Sequence, residues 1–391
     1  MASSPLRLLM TADTVGGVWT YAVELVQALG PQRAEVLLAT LGAPLSSAQS
    51  RAAARLSNLT VCESRYKLEW MDDPWADVDA SGAWLMELER EFRPQIVHLN
   101  TYAHGALPWN TPVLMVGHSC VLSWWQAVKG EAAPPHWSTY QARVQAGLAN
   151  ADLVAAPSRT MLDALQSYYG PFRATQVIYN ARRPGDFVPG IKEEQILAIG
   201  RLWDEAKNIA LLDQAAVDIP WPIYVAGEQR HPSGGKLEPV HLRTLGQLSQ
   251  AQVRSWLASA ALYVLPARYE PFGLSVLEAA LSGCALVLGD IASLRELWGG
   301  AALFVSPDDA SHLAAVLRDL IDHPRRLQTL AQAARRRARR YLPATMADAY
   351  WQVYTRLIAE GAANVGLRRK RPELALPFAP SHYSPAPPSG G

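Results

Sequence analysis

The chain has 391 residues, of which 49% are hydrophobic and only 18% charged, and its formal net charge is +1. That length exceeds what a single core usually serves and predicts two domains, while near-neutrality excludes a protein whose overall field gathers nucleic acid or another polyanion. Cys62, Cys120 and Cys284 are too scattered for a disulfide framework or a zinc spacing, and they fit reduced thiols in a cytoplasmic protein.

The first stretch, "MASSPLRLLMTADT", is apolar only briefly and is interrupted by Arg7, so it predicts neither a secretory segment nor a membrane span. No later run reaches the roughly 18 uncharged apolar residues that a spanning helix needs, so a soluble protein is expected, with peripheral membrane contact left open. "LRLLMTA" (6–12) predicts a buried strand, followed by a glycine turn and a helix from Val18, where Val18, Ala22, Leu25 and Leu29 recur at helical spacing. Further apolar runs at 34–41, 95–100, 112–118, 152–158 and 175–180 predict more strands. Their lack of alternation, with helices between them, implies a parallel sheet covered on both faces.

Residues 181–194, "ARRPGDFVPGIKEE", are polar and rich in Pro and Gly and predict a linker. The pattern then restarts, with strands at 196–200, 221–227, 261–266, 285–290 and 302–306 and helices near 207–217, 250–259, 274–282 and 309–340. Two doubly wound domains would face each other across a cleft and present the carboxyl ends of their strands to it. The last stretch, 366–391, is rich in Pro and Ser and predicts a disordered tail.

The most informative segment is "RYEPFGLSVLE" (268–278), where Glu270 and Glu278 flank a turn made of Pro271, Phe272 and Gly273 at the start of a helix. The first free N–H groups of that helix form an anion site. A bare phosphate would be repelled by the two carboxylates, whereas a phosphate flanked by hydroxylated groups would satisfy both, since each carboxylate accepts hydroxyl hydrogen bonds. A nucleoside diphosphate sugar has that shape. "GRLWDEAKN" adds Arg201 after a strand and Lys207 at a helix start, a bidentate clamp and a point charge that together replace a divalent metal.

These motifs resemble the donor domain of retaining GT-B glycosyltransferases, in particular the large fourth family. The Glu270–Glu278 spacing over a Pro-Phe-Gly turn carries most of the likeness, with Arg201 and Lys207 next, while "GGVWTYA" (16–22) and "VGHS" (116–119) resemble the other half of the same site. The resemblance implies a GT-B α/β fold with two Rossmann-like domains: 1–182 on the acceptor side, 190–340 holding the donor, and a helix at 341–365 crossing back to the first domain. It implies that Glu270 lies against the donor sugar near its anomeric carbon, that Glu278 binds ribose hydroxyls, and that Arg201 and Lys207 hold the diphosphate. Under it, Phe272, Gly273, Leu274 and Ser275 bind the donor, Gly16 and Gly17 let the backbone approach its phosphates, and His118 stabilises positive charge on the sugar.

The expected activity is transfer of a hexosyl group from a nucleoside diphosphate sugar, a UDP-sugar first of all, to a hydroxyl on a small molecule or glycan, with retention of configuration. Neither cofactor nor metal ion is expected, nor a nucleic-acid partner. The alternatives are a GT-B sugar-nucleotide epimerase and a non-catalytic nucleotide-sugar-binding protein; an inverting enzyme would need a base, for which Asp13 is the visible candidate. The sequence departs from the family pattern at Asn180-Ala181, where Asn-Gly is common, at Ala292-Ser293-Leu294-Arg295-Glu296, which replaces a Gly-Gly-x-x-Glu loop, and at "GEQRHPSGG" (227–235).

Two stretches imitate other functions. "DVD" at 77–79 has the look of a metal motif but precedes a helical pattern in which Asp79 or Ser81 serves better as N-cap. The runs "RRRARR" (335–340) and "RRKR" (368–371) read as solvated basic faces, the first suited to a helix C-terminus. Trp109, Trp124, Trp125 and Trp137 crowd the first domain, and stacking on an acceptor and plain packing are equally compatible with them.

Overall fold

Apolar runs without alternation become parallel strands buried on both faces, and the chain builds two such sheets. The computed structural model describes residues 4–230 and 238–363. The first sheet consists of β1 (Leu6–Asp13), β2 (Ala34–Leu41), β3 (Leu59–Glu63), β4 (Ile96–Leu99), β5 (Val113–Val116), β6 (Leu153–Ala156) and β7 (Thr175–Val177), in the order β3-β2-β1-β4-β5-β6-β7. Its helices are α1 (Gly17–Arg33), α2 (Ser47–Ala53), α3 (Trp75–Phe92), α4 (Val121–Lys129), α5 (Ser138–Asn150) and α6 (Arg159–Tyr169). Successive side chains of β1 serve opposite cores: Leu8 and Met10 face α1, and Leu9 faces the side of Leu85 and Val144.

The second sheet consists of β8 (Glu193–Ile199), β9 (Ile223–Ala226), β10 (Arg243–Gly246), β11 (Ala260–Leu265), β12 (Ala285–Gly289) and β13 (Leu303–Val305), ordered β10-β9-β8-β11-β12-β13. Around it lie α7 (Ile209–Ala215), α8 (Gln250–Ser259), α9 (Leu274–Leu281), α10 (Ala292–Trp298), α11 (Ala310–Asp322) and α12 (Pro324–Ala338). The last helix, α13 (Pro343–Ala363), leaves this domain and buries Met346, Tyr350, Val353, Tyr354 and Leu357 in the core of the first one, against α1. The chain therefore crosses between domains twice, and the crossings touch where Arg182 N–H donates to Tyr341 O at 3.4 Å.

Each sheet reverses its winding once, between β1 and β4 in the first and between β8 and β11 in the second. At such a switch point the loops leave in opposite directions and open a crevice beyond the strand ends. Asp13, Gly16, Gly17 and Asn100 lie at the first crevice, and Gly200, Arg201 and Tyr269–Glu270 at the second.

Three expectations need correction. β3 and β10 are absent from the predicted strands because these edge segments, "LTVCE" and "RTLG", are only half-buried and lack an apolar run. The single helix expected over 309–340 is two, α11 and α12, broken where Pro324 opens the second. The helix after "DVD" begins earlier, at Trp75, so neither Asp79 nor Ser81 caps it; Asp79 pairs with Arg143 at 2.6 Å and Ser81 donates to Val78 O. The segment read as a linker joins the two sheets, with Ala181, Arg182 and Phe187 buried along it. The Pro/Ser-rich stretch 366–391 and the basic run at 368–371 lie outside the described residues.

Candidate active site

The second crevice is built by the start of α9. Gly273 takes φ +81°, a left-handed turn that costs other residues more than glycine, and a Cβ there would lie 3.0 Å from Val276 Cγ2. The turn opens α9 with no side-chain cap on its N-terminal amides, leaving an electropositive end free for an anion. Tyr263 supports this end from below, its hydroxyl lying 2.8 Å from Ser275 Oγ and 3.3 Å from Ile199 O. Ser293 Oγ donates to the backbone carbonyl of Glu270 at 2.7 Å and fixes the preceding loop. Phe272 lies in the core, 3% exposed and edge-on to Tyr341. Its side chain thus pins the turn from the core side.

Lys207 Nζ donates to Glu270 Oε2 at 2.6 Å, with the two side chains 18% and 12% exposed. The Lys207 stem lies over Gly200, where a Cβ would come within 3.1 Å of it. Arg201 stacks on Trp203 at 4.9 Å and pairs with Asp204 at 2.8 Å. Asp204 also accepts from the Ala206 amide and, at 3.3 Å, from Trp124 Nε1 of the first domain. Burial alone would raise the Asp204 pKa, but Arg201, Lys207 and the Ala206 amide together hold it below the ordinary carboxylate value. Both cations therefore converge on one side of the crevice, each held by a carboxylate. At Gly227, whose φ is +146°, a Cβ would sit 1.8 Å from Gly200 O, so only glycine lets the end of β9 pack there.

Across the cleft, Asp13 Oδ1 accepts the Val15 and Gly16 amides, each at 2.9 Å, and shapes the turn into α1, another helix without a side-chain cap. Burial raises the Asp13 pKa; the two amides and Arg201 of the opposite domain act against it. A Cβ on Gly17 would meet Leu274 Cδ1 at 3.5 Å, so the two open helix ends lie against each other. His118 follows β5 and is only part-exposed. It lies edge-on to Tyr21 at 4.6 Å between ring centroids, and burial pushes its pKa down to about 3, so the imidazole is neutral at physiological pH.

Glu278 sits inside α9, 6% exposed, with Oε1 2.8 Å from Arg182 Nε. Arg182 also donates to Glu24 of α1 at 2.9 Å, and Arg183 reaches the same glutamate at 3.1 Å. This chain of buried charge joins both domains and the linker. The ribose role implied for Glu278 would have to use a carboxylate that Arg182 already engages. Nothing in the sequence pattern flagged Arg182; its only trace was an Arg-Arg pair in a segment read as linker.

Further contacts hold the domains together at the cleft rim. Tyr269 OH accepts the Cys120 amide at 3.1 Å and lies 2.9 Å from Ser123 Oγ at the start of α4, while Ser158 Oγ donates to Pro271 O at 2.7 Å. Glu296, in the segment that departs from the family loop, accepts the amides of Arg159 and Thr160 at 2.8 and 2.9 Å and the Thr160 hydroxyl at 2.9 Å. It thus caps a helix of the opposite domain. Glu296→Ala is expected to cost about 1 kcal/mol, as loss of a cap usually does, read as a lower denaturation midpoint; an unchanged midpoint would show the contact to be idle.

The remaining sequence candidates have structural partners. Trp109 is buried and its indole donates to His104 O, Trp137 packs edge-on to Tyr140, and Trp124 and Trp125 stay part-exposed on α4. Arg337 of the "RRRARR" run donates to Leu297 O and Gly299 O and caps the end of α10. Among the described residues no group of three or more His, Cys, Asp or Glu is placed to hold a metal, and no helix is long and apolar enough to cross a membrane.

Two facing Rossmann-like domains with the site between them define the GT-B class, and comparison with known proteins agrees. The family description "Glycosyltransferase Family 4" matches residues 15–183 and "Glycosyl transferases group 1" matches residues 193–323. The chain belongs to this family of GT4-like, group 1 glycosyltransferases. It is 37% identical over 137 residues to a glycogen synthase of Mycobacterium tuberculosis, a match covering 34% of this chain and 32% of that one. It is 38% identical over 100 residues to the MMP alpha-(1->4)-mannosyltransferase of Mycolicibacterium hassiacum, covering 25% and 24%. The matched stretches thus span a third or less of these curated relatives. The fold is similar over 91% of the chain to sucrose-phosphate synthase from Thermosynechococcus elongatus, with a TM-score of 0.77, 18% identity and all of that chain covered. Over 91% it is also similar to Anabaena HepE in complex with UDP-glucose, with a TM-score of 0.70, 16% identity and again 100% of that chain.

Proposed function

We propose that the protein transfers a glycosyl group from a nucleoside diphosphate sugar to a hydroxyl acceptor, with retention of anomeric configuration and without a divalent metal. The observation that carries this reading is the uncapped start of α9 beside the Lys207–Glu270 pair and Arg201, opposite Gly16 and Gly17. A departing diphosphate gains one negative charge, and a helix terminus offsets only about 0.3–2 kcal/mol of it. One fixed cation at about 4 Å adds about 4 kcal/mol at an effective dielectric near 20, before desolvation. Arg201 and Lys207 supply that charge, and the arriving diphosphate draws Lys207 away from Glu270, leaving the carboxylate to face the sugar. A hexosyl donor carried on UDP is the preferred form, by analogy with the HepE complex.

Retention is favoured because the visible base candidate, Asp13, already spends Oδ1 on the amides of its own turn. The leaving diphosphate then takes the acceptor proton on the same face of the sugar, while Glu270 and neutral His118 stabilise an oxocarbenium-like transition state. Screening nucleotide sugars for thermal stabilisation and slow hydrolysis, then assigning the anomer formed on a panel of acceptors by NMR, tests this reading. A UDP-hexose should stabilise the protein and yield product with the donor's configuration. Isomerisation of the donor alone, inverted product, or binding without turnover would each overturn it.

A further inference from the structure

His118 has a hydrogen-bond environment that settles which of its ring nitrogens carries the proton. Its Nε2 lies 2.8 Å from Asn100 Oδ1. Asn100 is itself fixed: its amide nitrogen Nδ2 donates to Thr11 O at 2.6 Å, and its backbone N–H donates to Thr11 Oγ1 at 2.8 Å. A backbone carbonyl only accepts, so the amide cannot turn over without losing that bond, and Oδ1 must face the histidine. Oδ1 also only accepts, so Nε2 must donate. Nδ1 is then the unprotonated nitrogen, and among the described residues none hydrogen-bonds to it.

We propose that Asn100 is a positioning residue that locks His118 as the Nε2–H tautomer, so that Nδ1 presents a fixed lone pair to a hydroxyl of the sugar bound in the cleft. The assignment of a sugar to that cleft rests on the function proposed above, whereas the tautomer does not. A lone pair held toward a sugar that becomes cationic lowers the energy of the transition state more than that of the ground state, because the charge develops there. An imidazole free to flip would spend part of its time offering an N–H instead, which opposes the same charge.

Among the described residues no carboxylate pairs with the ring. The groups packed around it are Tyr21 on α1, His98 on β4 and Asn100, with Tyr350 and Tyr354 of α13 behind His98. His98 is itself neutral, pushed down to about 3 by burial and then by His118, and it sits between the hydroxyls of Tyr21 at 3.2 Å and Tyr354 at 2.7 Å. Burial is the cause of the low His118 pKa, with no carboxylate acting against it. Asn100→Asp would place a carboxylate against Nε2 and raise that pKa, because an opposite charge beside the ring favours its protonated form.

Nitrogen-15 NMR of histidine-labelled protein, with His118 assigned by its replacement, reads the tautomer directly and needs no substrate. The wild-type spectrum should show protonated Nε2 and unprotonated Nδ1 at pH 7; protonated Nδ1, or an even mixture, would overturn the proposal. Asn100→Ala should convert the signal to a mixture and lower kcat about tenfold or more, with donor KM changed less than twofold. Asn100→Asp should add an acid limb to kcat/KM, with activity at pH 5 relative to pH 8 falling below the wild-type ratio, by up to about tenfold. A wild-type pH profile in Asn100→Asp would also overturn the proposal. A wild-type protein that turns over no nucleotide sugar would refute the proposed function and leave the tautomer measurement standing.

Discussion

Glu270→Gln and Lys207→Ala are each expected to lower turnover by about a hundredfold or more, the loss typical when a preorganised charge is removed from a transition state. For Lys207 the size follows from the charge that a leaving diphosphate gains. The roughly 4 kcal/mol available from a cation at about 4 Å is reduced by desolvation, and a hundredfold corresponds to about 2.7 kcal/mol of what remains. For Glu270 the loss arises at the sugar, where a neutral amide cannot oppose developing positive charge. Because the two side chains are in direct contact at 2.6 Å, their effects should not multiply: the double variant should be less impaired than the product of the single losses. Initial rates of donor turnover with and without acceptor measure this, and activities within threefold of wild type in both single variants would contradict the site.

Arg182→Met is expected to destabilise the folded protein by about 3–5 kcal/mol, the usual cost of stripping one partner from a buried ion pair. The methionine fills a similar volume but leaves Glu278 without its cation and Glu24 with only Arg183. In the native protein, burial already raises both glutamates despite Arg182, so the pairing roughly offsets a desolvation cost and adds little net stability. What it does specify is geometry, since Glu24 belongs to the first domain, Glu278 to the second and Arg182 to the crossing between them.

Two consequences separate this account from a general loss of packing. Adding Glu24→Gln and Glu278→Gln to Arg182→Met should recover much of the loss, because no buried charge is then left uncompensated. The sign of the pH dependence is also fixed. In Arg182→Met the folded-state pKa of each glutamate lies further above its unfolded value, so the folded state binds more protons. The deficit is therefore smallest below about pH 4.3, the unfolded value, and grows as pH rises through the folded one. Urea denaturation at several pH values measures both, and a single variant within 0.5 kcal/mol of wild type, on the order of an ordinary surface change, would contradict the assignment.

The parts of the fold that the sequence discloses are those where burial dictates residue type. Strands such as Leu6–Asp13 and Ala260–Leu265 are enclosed on both faces and consist of apolar runs, and their boundaries were legible to within a residue or two. The edge strands β3 and β10 escape notice because half their surface is open, which leaves room for Thr60, Glu63 and Arg243, whereas the other two edges, β7 and β13, coincide with apolar runs and were predicted. The donor-side candidates stand out for a different reason: Glu270, Gly273 and Arg201 fall in loops that follow strands, and Lys207 ends a short helical turn beyond one, where no packing demand explains such residues. Asn100 and Arg182 carried no local signal. Their parts depend on Thr11, His118, Glu24 and Glu278, which lie far from them in sequence and meet them only once the sheets and both crossings are in place.

Isothermal titration of UDP into the protein in the presence of EDTA tests the central claim, that helix amides and two basic side chains hold a nucleoside diphosphate without a metal ion. UDP should bind the wild-type protein under these conditions, and Arg201→Ala and Lys207→Ala should each weaken binding at least tenfold. Binding that requires a divalent cation, or that is unchanged in both variants, would contradict it.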